Sequence, residues 1–218
     1  MDFNPLDLIL HLDVYLDMLV TNYGTWVYAI LFLVIFCETG LVVMPFLPGD
    51  SLLFIAGAVA AGGAMDPVLL GGLLMLAAIL GDSTNYLIGR TAGEKLFSNP
   101  NSKIFRRDYL QQTHDFYDKH GGKTVTLARF LPIIRTFAPF VAGVGKMNYL
   151  RFLGFSVLGT VLWVGGLVTL GYFFGNVPFI KQNLSLLVVG IILVSLLPMI
   201  ISLVRSKLNQ RASKAETR

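Results

Sequence analysis

Long apolar stretches constrain the fold of this chain more than any other feature of its sequence. Three of them, Trp26 to Met44, Pro67 to Arg90 and Phe152 to Phe174, and a fourth, Leu184 to Val204, are long enough to cross about 30 Å of hydrocarbon. Of the 218 residues, 55% are hydrophobic and only 14% are charged, which is too apolar for a soluble domain. The sequence therefore predicts an all-α polytopic membrane protein with about four transmembrane helices.

The two ends of the chain differ from the part between them. Residues 1–22 alternate acidic and apolar side chains at roughly helical spacing, which predicts an amphipathic helix along the membrane surface. They do not show the basic region, short apolar core and cleavage site that together mark a removable signal peptide. Residues 23–204 form a single predicted membrane domain, and residues 205–218 form a basic tail.

Lysine and arginine residues predict the orientation in the membrane. Many of them lie between the second and third spans or in the tail, whereas Lys181 alone lies between the third and fourth spans. Because such residues are enriched on the cytoplasmic side, we expect the central segment and the C-terminus to be cytoplasmic. This bias and contact with anionic head groups account for the net charge of +4, so no nucleic-acid partner is expected.

Two shorter apolar pieces, Pro45 to Gly63 and Thr124 to Gly145, remain between these spans. The directions of the neighbouring spans require both ends of each piece to lie on the same side of the membrane. Each piece is therefore predicted to be a re-entrant helical hairpin.

The hairpins and the spans that follow them resemble each other. The first repeat, at about 38–91, would enter from outside, and the second, at about 124–175, from the cytoplasm, so the pair predicts an inverted repeat. Chance similarity between apolar, glycine-rich segments is the alternative. The matching segments are Phe46-Leu-Pro48 with Phe130-Leu-Pro132, Phe54-Ile-Ala-Gly57 with Phe140-Val-Ala-Gly143, Leu80-Gly81 with Leu158-Gly159, and Tyr86 to Gly89 with Tyr172 to Gly175.

Arg129 and Arg135 lie inside the second hairpin, on either side of Pro132. Proline removes a backbone donor and can break a helix, so the two guanidinium groups can converge. Two permanent positive charges in hydrocarbon need anions. The anions are either carboxylates of the chain, which would make a structural cluster, or an anionic substrate such as a phosphate.

Glu38 and Asp50 are the candidate acidic partners. Glu38 lies deep in the first predicted span, where a carboxyl group is protonated or paired with a cation. Asp50 follows Pro48 and Gly49 at the turn of the first hairpin. It can cap the second arm of that hairpin, act as a ligand or proton site, or do both.

Other polar residues have weaker patterns. Asp82 and Asn85 share one face of the second span, where a structural role or a place in the cavity wall is expected. Ser51 and Thr136 are nearby hydroxyl residues, as is Thr39. His114 and His120, with Asp115 and Asp118, do not have the spacing of a metal site. No metal or cofactor is expected.

These residues carry a resemblance to the DedA family of bacterial inner-membrane proteins, over nearly the whole chain. The similar segments are Glu38-Thr-Gly40, Pro45-Phe-Leu-Pro-Gly-Asp-Ser51, Gly81-Asp82, Tyr86-Leu-Ile-Gly-Arg90, Phe97-Ser-Asn-Pro-Asn-Ser-Lys-Ile-Phe105, Ala128-Arg-Phe-Leu-Pro-Ile-Ile-Arg-Thr136 and Ala142-Gly143.

The resemblance implies lipid transport. Members of this family are implicated in returning undecaprenyl phosphate from the outer to the inner leaflet and in maintaining the proton motive force and the cell envelope, and related eukaryotic proteins are scramblases. The family's functional acidic pair falls on Glu38 and Asp50, and its functional arginines fall on Arg129 and Arg135. Our hypothesis is that the two arginines bind the phosphate and that the two carboxylates couple transport to protons. Supporting positions in the cavity or hairpins are Pro48, Gly49, Ser51, Asp82, Asn85, Pro132 and Thr136.

Three other functions stay open at this point. A proton-coupled exchanger of small ions or drugs would not need a lipid phosphate, and a nonselective scramblase would not need a gradient. A polyprenyl pyrophosphatase would need a nucleophile or metal-binding carboxylates that the sequence does not provide, so no enzyme is expected. Head-group selectivity, the coupling ion and the oligomeric state, including a homo-oligomer, also stay open.

Overall fold

The computed structural model describes residues 18, 20, 22–41, 49–96, 121–175 and 177. Nearly all of the predicted amphipathic segment, the fourth predicted span at 184–204 and the basic tail lie outside these residues, as do Phe46, Leu47 and Pro48 of the first hairpin. All regular structure within the described residues is helical, as the sequence predicts.

Eight helical elements follow one another along the described chain. The last three are continuous and form one helix from Tyr149 to Phe174, with a π-helical turn inside it. The elements are α1 (Trp26–Gly40), α2 (Gly49–Ala61), α3 (Pro67–Leu96), α4 (Lys123–Ala128), α5 (Pro132–Val144), α6 (Tyr149–Thr160), π1 (Val161–Gly165) and α7 (Gly166–Phe174).

Two helices in the described residues are long and apolar enough to cross a membrane. They are Pro67–Ala92 and Tyr149–Phe174, each of 26 residues, and they coincide with the second and third predicted spans. The helix α1 has 15 residues and is about 22 Å long at 1.5 Å per residue, short of the roughly 30 Å of a bilayer core. The first predicted span, Trp26 to Met44, therefore contains a helix shorter than the sequence indicates.

The helix α1 runs beside the first half of α3 in the same direction. The backbone N–H of Asp66, just before α3, donates to the Tyr28 hydroxyl at 2.8 Å. At the other end, a Cβ on Gly40 would lie 3.3 Å from the Cα of Gly81, at the middle of α3. There α1 ends, because Leu41 turns to extended backbone angles (φ −103°, ψ 115°).

The helix α5 runs beside the second half of α3, again in the same direction. Asn85 donates to the carbonyl of Thr136 at 2.8 Å, and one turn further on Gly89 lies against Phe140. The helices α1 and α5 thus follow each other along one side of α3. Their adjoining ends lie near its midpoint.

The continuous helix α6–π1–α7 is flanked in the same way and runs antiparallel to α3. The helix α4 lies beside α6, where the Thr126 hydroxyl donates to the carbonyl of Phe155 at 2.8 Å. The helix α2 lies beside π1 and α7. Asp50, near the start of α2, contacts Trp163, and Ala58, near its end, lies against Gly175. Both long helices therefore carry two short helices whose ends meet half-way along.

Two pairs of glycines allow the closest of these helix contacts. A Cβ on Gly57 or Gly171 would collide with a backbone carbonyl across the α2–α7 contact, and a Cβ on Gly89 or Gly143 would do the same across the α3–α5 contact. Small residues let helix backbones approach closely in membrane proteins. Gly89 and Gly171 thus occupy equivalent places in the two helix contacts. The sequence repeat instead pairs Gly89 with Gly175, which lies one helical turn after Gly171.

The glycine contacts predict a sharp difference between two alanine substitutions. Gly143→Ala places a methyl group against the carbonyl of Tyr86 and should lower the free energy of unfolding by about 1–3 kcal/mol through overpacking. Gly154→Ala adds the same group where nothing lies within 4 Å and should leave stability unchanged or slightly raised. Denaturant unfolding in detergent measures both, and equal stability of the two variants would contradict the close contact.

Candidate functional site

The ends of four short helices meet at one place in the interior. The helix α4 ends at Ala128, α5 begins at Pro132, and residues 129–131 separate them. Leu131, just before the proline, is extended (φ −115°, ψ 106°), as the residue preceding a proline prefers. The helix break that Pro132 predicts is therefore present, and it places Arg129 and Arg135 at the junction.

Arg135 binds the two carboxylates that the sequence singles out. Its Nη2 donates to Glu38 Oε1 and its Nη1 to Asp50 Oδ1, both at 2.6 Å. The side chains of Arg135 and Glu38 are buried, and that of Asp50 is 19% exposed. A Cβ on Gly49 would collide with the Glu38 carboxylate, so glycine there lets the start of α2 lie against the end of α1.

Arg129 has a different carboxylate partner. Its Nη1 donates to Asp82 Oδ2 at 2.8 Å and to the Thr160 hydroxyl at 2.7 Å. The hydroxyl of Ser156 donates to the same Asp82 oxygen at 2.5 Å. All four side chains are buried, so this second ion pair joins the end of α4 to the middles of α3 and α6.

The indole ring of Trp163 lies between the two ion pairs. Its Nε1 donates to Asp50 Oδ1 at 2.8 Å, and its ring centroid lies 4.5 Å from the guanidinium carbon of Arg135 and 5.4 Å from that of Arg129. Both distances are within the range of a cation–π interaction. The π-helical turn, of a kind often found at functional sites, holds this ring in place.

One edge of the Arg129 guanidinium keeps its donors unused. Within the described part of the chain, no hydrogen-bond partner reaches Nε or Nη2 of Arg129, or Nε of Arg135. The Nε and Nη2 of an arginine point their hydrogens in parallel from one edge, the arrangement that binds two oxygens of a phosphate or carboxylate. Arg129 is only 4% exposed, so these donors are buried without a partner among the described residues.

Three carboxylates surround the two guanidinium groups. Ion pairs among the described residues join Glu38 and Asp50 to Arg135, and Asp82 to Arg129. A charge in an apolar interior is expensive unless it is paired, so these pairs hold the ends of the short helices at the junction.

A cavity of about 290 Å³ adjoins the cluster. Asp50, Arg129 and Trp163 form its polar end, and apolar residues form the rest of its wall. Three of these, Phe130, Leu162 and Leu170, are about half exposed, so the cavity opens on the apolar outer surface. An anion can therefore reach Arg129 from the side of the helices.

The remaining predicted positions surround the cluster. Asn85 is fully buried, and its amide donates to the carbonyls of Thr39 (3.1 Å) and Thr136 (2.8 Å), which ties α3 to α1 and α5. Ser51 is buried beside Asp50 in the first turn of α2. Asn85 is thus structural, and Asp82, for which a structural role was also favoured, is an ion-pair partner of Arg129. Pro48, His114 and His120 lie outside the described residues.

Sequence reasoning did not single out Trp163, Ser156 or Thr160. A signal was present, because Ser156 and Thr160 lie four residues apart on one helical face of an otherwise apolar span, and Trp163 follows within a turn. The partner of Asp82 could not be predicted, since it lies 47 residues away. Among the described residues, no group of three histidine, cysteine, aspartate or glutamate side chains could hold a metal ion.

Comparison with known proteins shows the family of the chain. The VTT domain model matches residues 47–173, from the first hairpin to the end of the second long helix. The Protein DedA of Escherichia coli (strain K12) is 61% identical over 204 residues, which are 93% of each chain. The chain belongs to the DedA family of inner-membrane proteins.

More distant relatives are membrane proteins as well. An uncharacterized membrane protein of Mycobacterium leprae is 48% identical over 169 residues, 78% of this chain and 76% of that one. The inner membrane protein YqjA of Escherichia coli (strain K12) is 38% identical over 157 residues, 72% of this chain and 71% of its own. None of these names describes an enzymatic activity. No solved structure gives a significant match.

The Arg129–Asp82 pair predicts a compensated double substitution. Asp82→Asn leaves a buried guanidinium without its carboxylate and should lower the free energy of unfolding by about 3–5 kcal/mol. The double variant Asp82→Asn with Arg129→Gln has neither charge, so it should regain most of the lost free energy of unfolding. Denaturant unfolding of the purified variants measures the coupling.

Asp66→Asn is the matched control for this experiment. Asp66 is exposed at the start of α3 and caps the backbone of Leu69, which asparagine does as well as aspartate. Its stability should match the wild type. A double variant no more stable than Asp82→Asn alone would contradict the pair.

Proposed function

We propose that this protein is a flippase that returns undecaprenyl phosphate from the outer to the inner leaflet of the bacterial inner membrane, coupled to protons. The observation that carries the proposal is the free edge of Arg129. Two buried donors in a fork geometry have no partner among the described residues, and Arg129 lines a cavity that opens on the apolar surface. The lipid itself is inferred from the family, since the names of the relatives state no substrate.

The helix ends support binding of a phosphate group. The N-terminal ends of α2 and α5 both lie at the cluster, and each carries a partial positive charge. Together with Arg129 and Arg135 they surround the site with donors. An anion of charge −1 to −2 replaces the carboxylates as the partner of the arginines.

The sharing of Arg135 by two carboxylates supports coupling to protons. Glu38 and Asp50 hold Arg135, and Asp50 also borders the cavity, so a phosphate must compete with them. Protonation of these carboxyl groups releases the arginine for the phosphate, and loss of the protons reverses the exchange. A higher proton concentration outside thus drives the lipid inward.

The arrangement of the helices supports transport across the membrane. We assign α1 with α2 and α4 with α5 to two re-entrant hairpins, so that the first hairpin includes the helix that the sequence predicted as the first span. We assign α3 and α6–π1–α7 to antiparallel spans. In this inverted repeat the short helices end near the midplane, where the substrate binds in many transporters. Rocking one repeat against the other would expose the site to each side in turn. In this proposal the central segment and the C-terminus are cytoplasmic, which their basic residues support.

Flux of a short-chain polyprenyl monophosphate across proteoliposomes tests the phosphate site. Arg129→Lys keeps the charge but loses the fork and should slow flux at least about 30-fold, which corresponds to the ~2 kcal/mol that a buried charged contact is worth. Arg135→Lys should also slow it. Arg151→Lys is the matched control, because Arg151 is exposed at the start of α6, and its flux should equal the wild type.

The outcomes separate this function from its rivals. Equal flux in the wild type and both cluster variants would overturn the phosphate site. Flux of every lipid tested, independent of a gradient, would identify a scramblase instead. Arginine-dependent movement of small ions in liposomes without any lipid phosphate would identify an ion exchanger.

Proton coupling predicts a distinct behaviour for Glu38→Gln. Glutamine cannot bind or release a proton, so the response of flux to an imposed pH gradient should disappear or fall severalfold, while the wild type responds. Asp66→Asn removes an exposed carboxylate and should keep the full response. A Glu38→Gln variant with the wild-type response would remove Glu38 from the coupling mechanism.

A further inference from the structure

The cavity beside Arg129 continues into an apolar trough on one helix face. Leu162, Gly166 and Leu170 are four residues apart and lie on the same side of π1 and α7. Phe130, at the turn of the second hairpin, forms the opposite wall. The trough therefore leads from the guanidinium group of Arg129 to the outer surface.

Gly166 determines the depth of this trough. A Cβ at this position would meet no atom within 4 Å, so the space beside the helix is open. On either side, Leu162 is 51% and Leu170 48% exposed, and Phe130 is 53% exposed across from them. A side chain at position 166 would fill the trough without disturbing the packing of the helices.

We propose that this trough binds the head-proximal segment of the hydrocarbon chain of the transported lipid, whose phosphate lies at Arg129. The inference rests on the proposed function and adds a chain subsite to it. The polarity of the lining fixes the direction of the ligand, because Arg129 lies at the polar end of the cavity and only apolar residues line the way out. An anion without a hydrocarbon chain would gain nothing from contact with these apolar side chains.

The size of the cavity limits what it holds. Its volume of about 290 Å³ is at the lower end of the roughly 300–1,000 Å³ of small-molecule pockets. A phosphate group and the first part of a single chain fill such a space, and the rest of a long chain must leave between Phe130 and Leu170. The subsite thus selects for a single-chain phosphate lipid and stays connected to the bilayer.

Leucine substitutions at two glycines of the same continuous helix test the subsite. In proteoliposomes, Gly166→Leu should slow flux of a short-chain polyprenyl monophosphate by about tenfold or more, as a misfit in an apolar pocket does. Gly154→Leu is the matched control, since it too adds a side chain where nothing lies within 4 Å, but outside the trough. Its flux should stay within about twofold of the wild type.

A second measurement is independent of transport. A polyprenyl monophosphate with a photoreactive group on its first isoprene unit is cross-linked to the purified protein, and the labelled peptides are identified by mass spectrometry. Labelling is expected in the segments that contain Phe130 and 162–170, and it should be lost in Gly166→Leu but kept in Gly154→Leu. Thermal unfolding of both variants verifies that they are folded.

The outcomes keep the subsite and the proposed function apart. The first outcome is flux that depends on Arg129, with Gly166→Leu and Gly154→Leu equally fast and equally labelled. It would overturn the chain subsite but not the proposed flippase function. No Arg129-dependent flux in the wild type would overturn the flippase and the subsite with it. Labelling spread evenly over the exposed face of α3 would also overturn the subsite.

Discussion

The pairing of two buried guanidinium groups is the constraint on which the rest of this structure depends. Arginine does not lose its charge, and an unpaired charge in an apolar interior is strongly destabilising. Arg129 and Arg135 are therefore stable only if carboxylates from other helices lie within hydrogen-bond distance. Asp82 of α3, Glu38 of α1 and Asp50 of α2 supply them, so four parts of the chain must converge on one place.

Helix ends are what make this convergence possible. Within a continuous helix the backbone N–H and C=O groups bond to each other, and only side chains reach a neighbouring site. At a helix end, backbone groups are also available to the site. The ends of α1, α2, α4 and α5 meet beside the midpoints of the two long helices. The close contacts at Gly57 with Gly171 and Gly89 with Gly143 hold the short helices there.

Much of this was predictable from the sequence because the local signals are strong. The apolar runs Pro67 to Arg90 and Phe152 to Phe174 predicted the two long helices, and Pro132 predicted the helix break. The two arginines and the acidic residues Glu38 and Asp50 stood out as charges in apolar segments. The length of α1 was overestimated, since hydropathy continues to Met44 and gives no sign that the helix ends at Gly40.

The sequence by itself determined the class of the protein, its long helices and the residue types that need partners, because these follow from hydropathy, proline and charge along the chain. Only the tertiary structure decided which partners they have. It assigned Asp82 to Arg129, placed Trp163 beside both arginines, left one edge of Arg129 without a partner among the described residues and opened an apolar trough at Gly166. These depend on contacts between residues from 31 to 113 positions apart, whose distances are set by helix packing and not by local sequence.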